Sequence, residues 1–343
     1  MENHTKDEKF DSAVSIVSAE LKKYLLSLDT ETKKQTYEIR LRSGQPLVLC
    51  GKYGTVFLNS NGIGTSTENS IIVTHETVTD TFNRLCCFSI HTHLPSIVNG
   101  YITMQGGHRV GIAGTAVTDS AGVIISVKDI YSVNIRVSRQ IVGAADELID
   151  KLFSKKIEST IIAGPVSCGK TTILRDLARQ LSSPCNNKMH KLCVIDERQE
   201  IACINGGIAG NDLGINCDIF SCYPKGQAVI TAIKTMSPDI IVVDEVATVK
   251  EIEAIKLGVN SGVKFIVTVH AEDYEEILHR QQIEMLINTY SFKNLVLLSS
   301  NKNIGKIKEI YDIGELRDEI IRRRVNLDKS DYIWDYSIFQ TEK

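Results

Sequence analysis

Gly164-Pro165-Val166-Ser167-Cys168-Gly169-Lys170-Thr171 fits the pattern G-x-x-x-x-G-K-[ST] at every defined position, and no other segment constrains the fold as tightly. Its flanks supply the context that the pattern needs. Thr160-Ile161-Ile162-Ala163 reads as a buried strand leading in, and Thr172, Leu174, Leu177, Ala178 and Leu181 recur at helical spacing leading out. Glycines at 164 and 169 let the backbone curl until successive N–H groups point inward at one place. The N-terminus of the following helix adds its partial positive charge there. This is a cradle for phosphate, and Mg²⁺·ATP is the expected ligand. Gly164, Pro165, Val166, Ser167, Cys168, Gly169, Lys170, Thr171 and Thr172 are assigned to it, with Lys170 on the β- and γ-phosphates and the Thr171 hydroxyl on Mg²⁺. The bland alternative is a glycine turn beside a surface lysine, and it leaves the order of strand, loop and helix unexplained.

From Ala144 onward, short apolar runs alternate with helical periods: Thr160 to Ala163, Leu192 to Ile195, Ile240 to Val243 and Phe265 to Val269. Buried strands separated by helices indicate a parallel sheet covered on both faces. The first part of the chain reads differently. Phe10, Val14, Val17, Leu21, Leu25 and Leu28 predict one amphipathic helix. Tyr37, Ile39 and Leu41 alternate with Glu38, Arg40 and Arg42 as in a half-buried strand, and residues 76–88 fit a helix. Tyr101 to Val137 is again β-like, punctuated by Gly106-Gly107, Gly111 and Gly114. The expected organisation is an α+β domain over 1–140, a P-loop domain over 141–312, and a partly helical tail over 313–343. The tail carries Arg322-Arg323-Arg324 and Trp334. Val296 to Ser299 and Ile307 to Tyr311 are expected to pair as a hairpin around Asn301 to Gly305.

Two strands end in carboxylates. Ile240 to Val243 runs into Asp244-Glu245, and Leu192 to Ile195 runs into Asp196-Glu197-Arg198-Gln199-Glu200. A third, Phe265 to Val269, ends at His270. Ligands of doubly wound sheets bind at that edge. An aspartate there suits a Mg²⁺ shell, which assigns Asp244 to the metal beside Thr171, and a neighbouring glutamate can polarise water. Each acidic end alone is also what a solvated loop looks like.

Length and charge narrow the partners. The chain has 343 residues, enough for two domains, and its hydrophobic fraction of 43% suffices for a core in each. A formal charge of −3 speaks against general nucleic-acid binding, which relies on excess Lys and Arg. No run approaches ~18 apolar residues, and Met1 to Asp11 lacks the apolar stretch of a signal peptide. Nine cysteines (50, 86, 87, 168, 185, 193, 203, 217 and 222) show no metal spacing and read as reduced thiols of a cytoplasmic protein. Cys168 is either a reactive thiol or a small residue that fits its loop.

The order phosphate loop, Asp196 to Glu200, Asp244-Glu245, His270 resembles the secretion ATPases of type II, type IV pilus and type IV secretion systems. Those carry a Walker A loop, an Asp box, a Walker B strand and a His box in this order. Glu38-Ile39-Arg40-Leu41-Arg42, Gly100-Tyr101-Ile102-Thr103, Gly106-Gly107-His108-Arg109-Val110-Gly111, Asn134-Ile135-Arg136, Ser237-Pro238-Asp239 and Val267-Thr268-Val269-His270 look like the stage III sporulation protein AA family, ATPases of the sporulation channel. The resemblance spans about residues 35–312.

It implies a RecA-like P-loop domain preceded by a smaller α+β domain, hydrolysing Mg-ATP in a homo-hexameric ring to drive or assemble a membrane-spanning channel during endospore formation. It implies integral-membrane and channel components of the sporulation stage III A complex as partners. The location would be the cytoplasmic face of a membrane, in the mother cell around the forespore. Glu200 falls at the catalytic glutamate of the Asp box, Glu245 at the Walker B glutamate and His270 at the γ-phosphate sensor. Asp244 stands where the secretion ATPases usually have glycine, and Val246-Ala247-Thr248 stand where they tend to have glycine and arginine or arginine and aspartate. Whether Glu200 or Glu245 orients water is therefore open. Arg109, Arg136 and Arg139 are candidates to reach the nucleotide from the N-terminal domain. A non-hydrolysing assembly scaffold and a RecA-like nucleic-acid motor are the competing readings.

Overall fold

The computed structural model describes residues 7–184, 189–299 and 305–323. Cys185, residues 301–304 of the expected hairpin, Arg324 and Trp334 lie outside that set. The chain divides into two compact units, one of residues 1–139 with 203–211, the other of 140–202 with 212–343. The expected domain limits kept 203–211 in the second unit and set 313–343 apart as a tail. The structure instead groups 203–211 with the first unit.

In the first unit, the apolar stripe from Phe10 to Leu28 spans two helices, α1 (Glu8–Val14) and α2 (Ala19–Leu26), where one was expected, with Val17 between them and Leu28 just after the second. Ser18 interrupts them with an extended backbone (φ −50, ψ 144), and its N–H donates to Thr81 Oγ1 at 3.1 Å. All six stripe residues are nonetheless buried. Such side chains stabilise by about 1.5–3 kcal/mol each on burial, so the spacing predicted the buried face correctly across the break. A third helix, α3 (Thr30–Gln35), runs into the sheet. The strands are β1 (Thr36–Arg42), β2 (Val48–Gly51), β3 (Gly54–Asn59), β4 (Gly62–Gly64), β5 (Tyr101–Thr103), β6 (Arg109–Thr118) and β7 (Ile124–Arg136). They form one antiparallel sheet in the order β4-β3-β2-β1-β7-β6-β5. Between β4 and β5 lie α4 (His75–Leu85), capped by the Thr74 side chain, and α5 (Leu94–Val98).

Residues 203–211 sit in this unit as a small hairpin. Lys9 Nζ donates to the carbonyls of Gly106 and Gly210, both at 3.2 Å, and Asn205 Nδ2 donates to the Thr103 carbonyl at 2.8 Å. A Cβ on Gly210 would lie 2.4 Å from the Gly107 nitrogen, so only glycine permits this approach. Beneath it His108 is wholly buried, its Nδ1 accepting from the Ser138 N–H at 3.0 Å.

The second unit opens with α6 (Asp146–Leu148), β8 (Ser159–Gly164), α7 (Lys170–Leu181) and β9 (Leu192–Asp196). The 203–211 hairpin supplies β10 (Ile204–Asn205) and β11 (Ile208–Ala209) to the first unit. Then follow β12 (Cys217–Ser221), α8 (Lys225–Met236), β13 (Ile240–Val243), α9 (Val249–Asn260), β14 (Lys264–His270), α10 (Tyr274–His279), α11 (Gln281–Ile287), β15 (Phe292–Leu298) and β16 (Ile307–Asp312). The sheet order is β12-β9-β13-β14-β8-β15-β16, parallel except for β16, which pairs antiparallel with β15 as expected of a hairpin. Strands β8 and β13 are buried at every position because helices cover both faces. Residues 313–323 are helical, and Ile313, Leu316 and Ile320 join the core of this unit.

Candidate functional site

Parallel strands put all their C-terminal ends at one edge, so Gly164, Asp196, Asp244 and His270 arrive together although 106 positions separate the first from the last. Ser167 (φ 61) and Gly169 (φ 101) adopt the left-handed conformation on either side of Cys168, turning the loop's N–H groups inward. Val166 is exposed at the crest. A Cβ on Gly164 would lie 2.6 Å from Cys168 Sγ, so glycine is required where the thiol tucks under the loop. Burial pushes that thiol up from its ordinary pKa, against the opposing pull of Lys170. Cys168 is the small residue that fits the loop. Lys170 Nζ donates to the carbonyls of Gly164 and Pro165, both at 2.7 Å, which holds the ammonium at the mouth of the cradle. Thr171 and Thr172 are half-buried in the first turn of α7.

Asp244 ties this loop to the next strand. Its Oδ2 accepts from the Thr171 hydroxyl at 2.8 Å, and its Oδ1 accepts from the Thr268 hydroxyl. A hydroxyl backed by a carboxylate suits Mg²⁺, which keeps several waters and takes few protein ligands. The donor set therefore fits the metal expected with the nucleotide.

Glu245 follows with φ 54, uncommon outside glycine. Three groups hold it: the Thr268 hydroxyl accepts its N–H at 2.6 Å, Lys225 Nζ donates to its carbonyl at 2.7 Å, and Arg198 pairs with its carboxylate. Asp196 works as an organiser of the loop ahead of it. Its carboxylate accepts from the N–H groups of Glu200 (2.8 Å), Ile201 (3.1 Å) and Ala202 (2.8 Å). The Arg175 guanidinium clamps the Glu200 carbonyl at 3.1 and 2.9 Å. Glu200, Glu245, Asp244, Asp196, Glu197, Arg198 and Lys225 line one small cavity of about 20 Å³, large enough to admit water. His270 lies opposite Gly164 in the ladder, and the next residue donates its N–H to the Gly164 carbonyl at 3.3 Å. Its Nδ1 is 3.7 Å from Glu276, which Arg280 also holds at 2.8 Å.

The structure thus gathers every residue assigned to catalysis, nucleotide and metal at one sheet edge of the second unit. Sequence reasoning missed Lys225, Arg198, Arg175 and the role of Thr268. Lys225 carried a signal: a lysine in the first turn of a helix opposes the helix dipole, which points to a specific acidic or carbonyl partner.

The candidate arginines belong to the first unit. Arg109 and Arg136 face each other across β6 and β7, with Glu38 next in the row on β1. Arg109 stacks on Tyr101 at 3.8 Å and Arg136 lies 3.8 Å from Glu38. Arg139 is engaged otherwise, by both oxygens of Asp7 at 3.2 Å and by the Lys33 carbonyl at 2.7 Å.

The family model described as "Sporulation stage III, protein AA" matches residues 7–317. The chain is 32% identical over 298 residues to "Stage III sporulation protein AA" of Bacillus subtilis (strain 168), covering 87% of this chain and 93% of that protein. Among solved structures, the pilus retraction motor PilT with bound ADP superposes with a TM-score of 0.58 at 13% identity, over 88% of each chain. The ATPase DotB of Yersinia pseudotuberculosis gives 0.51 at 16% identity, over 83% of this chain and 78% of that one. At these identities the likeness is one of fold: a RecA-like sheet of the secretion-ATPase kind.

Proposed function

Because the chain belongs to the Sporulation stage III, protein AA family, we propose that it is an ATPase of the secretion type, acting on a membrane-spanning channel during endospore formation. The observation that carries this reading is the Thr171–Asp244 hydrogen bond, which joins the phosphate loop to the strand end bearing Glu245. A phosphate loop alone binds. Joined to two glutamates that line one small cavity, it has the parts of a hydrolase.

In this reading the loop N–H groups and Lys170 bind the phosphates of ATP, and the ammonium exchanges the carbonyls of Gly164 and Pro165 for phosphate oxygens. The Thr171 hydroxyl, with Asp244 behind it, would hold Mg²⁺, which would supply charge neutralisation for the phosphates. Glu200 or Glu245 orients water toward the γ-phosphorus and takes its proton, while the P–O bond to ADP breaks. His270, beside Gly164, is placed to follow loss of the γ-phosphate. The channel components, the hexameric ring and the place at a membrane's cytoplasmic face come from the family and its fold. Among the described residues no helix is long and apolar enough to cross a membrane.

Equilibrium binding of a fluorescent ATP analogue tests the first step. Lys170→Ala should lower affinity at least tenfold with the fold intact. Equal binding by the variant, or none by the wild type, would overturn the reading.

A further inference from the structure

Lys225 is the first residue of α8, and only 7% of it is exposed. A buried ammonium is expensive unless paired, and here the helix dipole opposes it as well. Its position is held by two groups. Its Nζ donates to the Glu245 carbonyl at 2.7 Å and stands 3.8 Å from Glu197 Oε2. It also lines the cavity shared by Glu200 and Glu245.

Glu245 has the left-handed φ of 54, and its peptide groups are gripped from both sides. Thr268 takes the N–H and Lys225 takes the carbonyl. The next N–H, of Val246, donates to the Thr268 carbonyl at 2.8 Å, and that of Ala247 donates to Glu251 at 2.8 Å. A residue in a sparsely populated backbone region persists only where its surroundings over-determine it. Without the ammonium the Glu245 carbonyl loses its partner at the cavity, and its peptide is held on that side only through the Val246 N–H. The Cα–Cβ direction, and with it the reach of the carboxylate, then drifts.

We propose that Lys225 is a positioning residue for the Glu245 carboxylate, acting through the Glu245 carbonyl; this rests on the ATPase reading above. Its ammonium fixes the strained peptide, keeps Glu245 turned toward the cavity, and sets Glu197 as the counter-charge that makes burial tolerable.

The test compares Lys225→Met and Lys225→Arg with wild type in the full chain, by amide hydrogen exchange and by steady-state phosphate release with Mg-ATP. Lys225→Met should speed exchange at residues 245–247 at least tenfold, leaving the phosphate loop and α7 unchanged. Its kcat should fall at least tenfold with KM within threefold, and Lys225→Arg should recover part of both effects. Unchanged exchange at 245–247, equal acceleration in both segments, or fast exchange with wild-type kcat would each overturn the proposal. Absence of turnover in the wild type would overturn the ATPase reading instead, and the exchange data would still decide whether Lys225 holds Glu245.

Discussion

The Thr171 hydroxyl donates to Asp244 Oδ2 at 2.8 Å, across 73 positions of sequence. In the proposed reading that bond aligns the two oxygens assigned to Mg²⁺ ahead of nucleotide binding, so little ordering remains to be done. Hydrogen bonds to a charged group contribute about 1.5–3 kcal/mol, on the order of tenfold in affinity or more. Thr171→Ala should therefore weaken Mg-ATP binding by roughly tenfold or more, with Mg-free ADP binding changed much less. Isothermal titration with and without Mg²⁺ separates the two.

Asp196 organises the loop that presents Glu200, since its carboxylate takes three consecutive N–H groups, two of them buried. Each orphaned buried donor costs about 1–3 kcal/mol. Asp196→Ala should destabilise the second unit by a few kcal/mol and abolish turnover, whereas Asp196→Asn, which keeps one acceptor oxygen, should do less of both. Thermal melting and phosphate release measure these.

The phosphate loop and the strand ends were legible because each is a contiguous run: a cradle needs its glycines and lysine at fixed spacing, and a buried strand shows its apolar residues together. The side chains that aim the site were not. Thr268, Lys225 and Arg198 act through space: one lies on β14, one at the start of α8 and one in the loop after β9, and only the fold brings them to Glu245. The 203–211 hairpin had no signal either, because its place depends on Gly210 meeting Gly107. The apolar stripe from Phe10 to Leu28 predicted a face and not the helix break, since Ser18 is held by Thr81 on a distant helix.

Cys168 is buried and its thiol is pushed up by that burial, while Cys87 and Cys222 are exposed. Alkylation proceeds through the thiolate. Iodoacetamide at neutral pH should label Cys87 and Cys222 well before Cys168, as peptide mass spectrometry would show. Nucleotide affinity should stay unchanged during that first phase.

His108 has its pKa pushed down from 6.5 to about 4, chiefly by burial and then by Lys9 and Arg139. Above pH 6.5 it is neutral both folded and unfolded. Between about 6.5 and 4 the unfolded chain takes up the proton and the folded one does not, so stability falls as pH falls. The loss across that window is on the order of 3 kcal/mol, complete near the lower limit. Denaturant unfolding of the first unit at several pH values should show this slope, and His108→Gln should flatten it.

The most direct measurement is phosphate release by the purified chain with Mg-ATP, beside Glu200→Gln and Glu245→Gln, with ATP affinity measured on all three. The account predicts turnover by the wild type, and ATP binding without comparable turnover in both variants, because both glutamates line one cavity. Equal binding by all three with no hydrolysis by any, even with membranes added, would contradict it and leave a nucleotide-dependent scaffold.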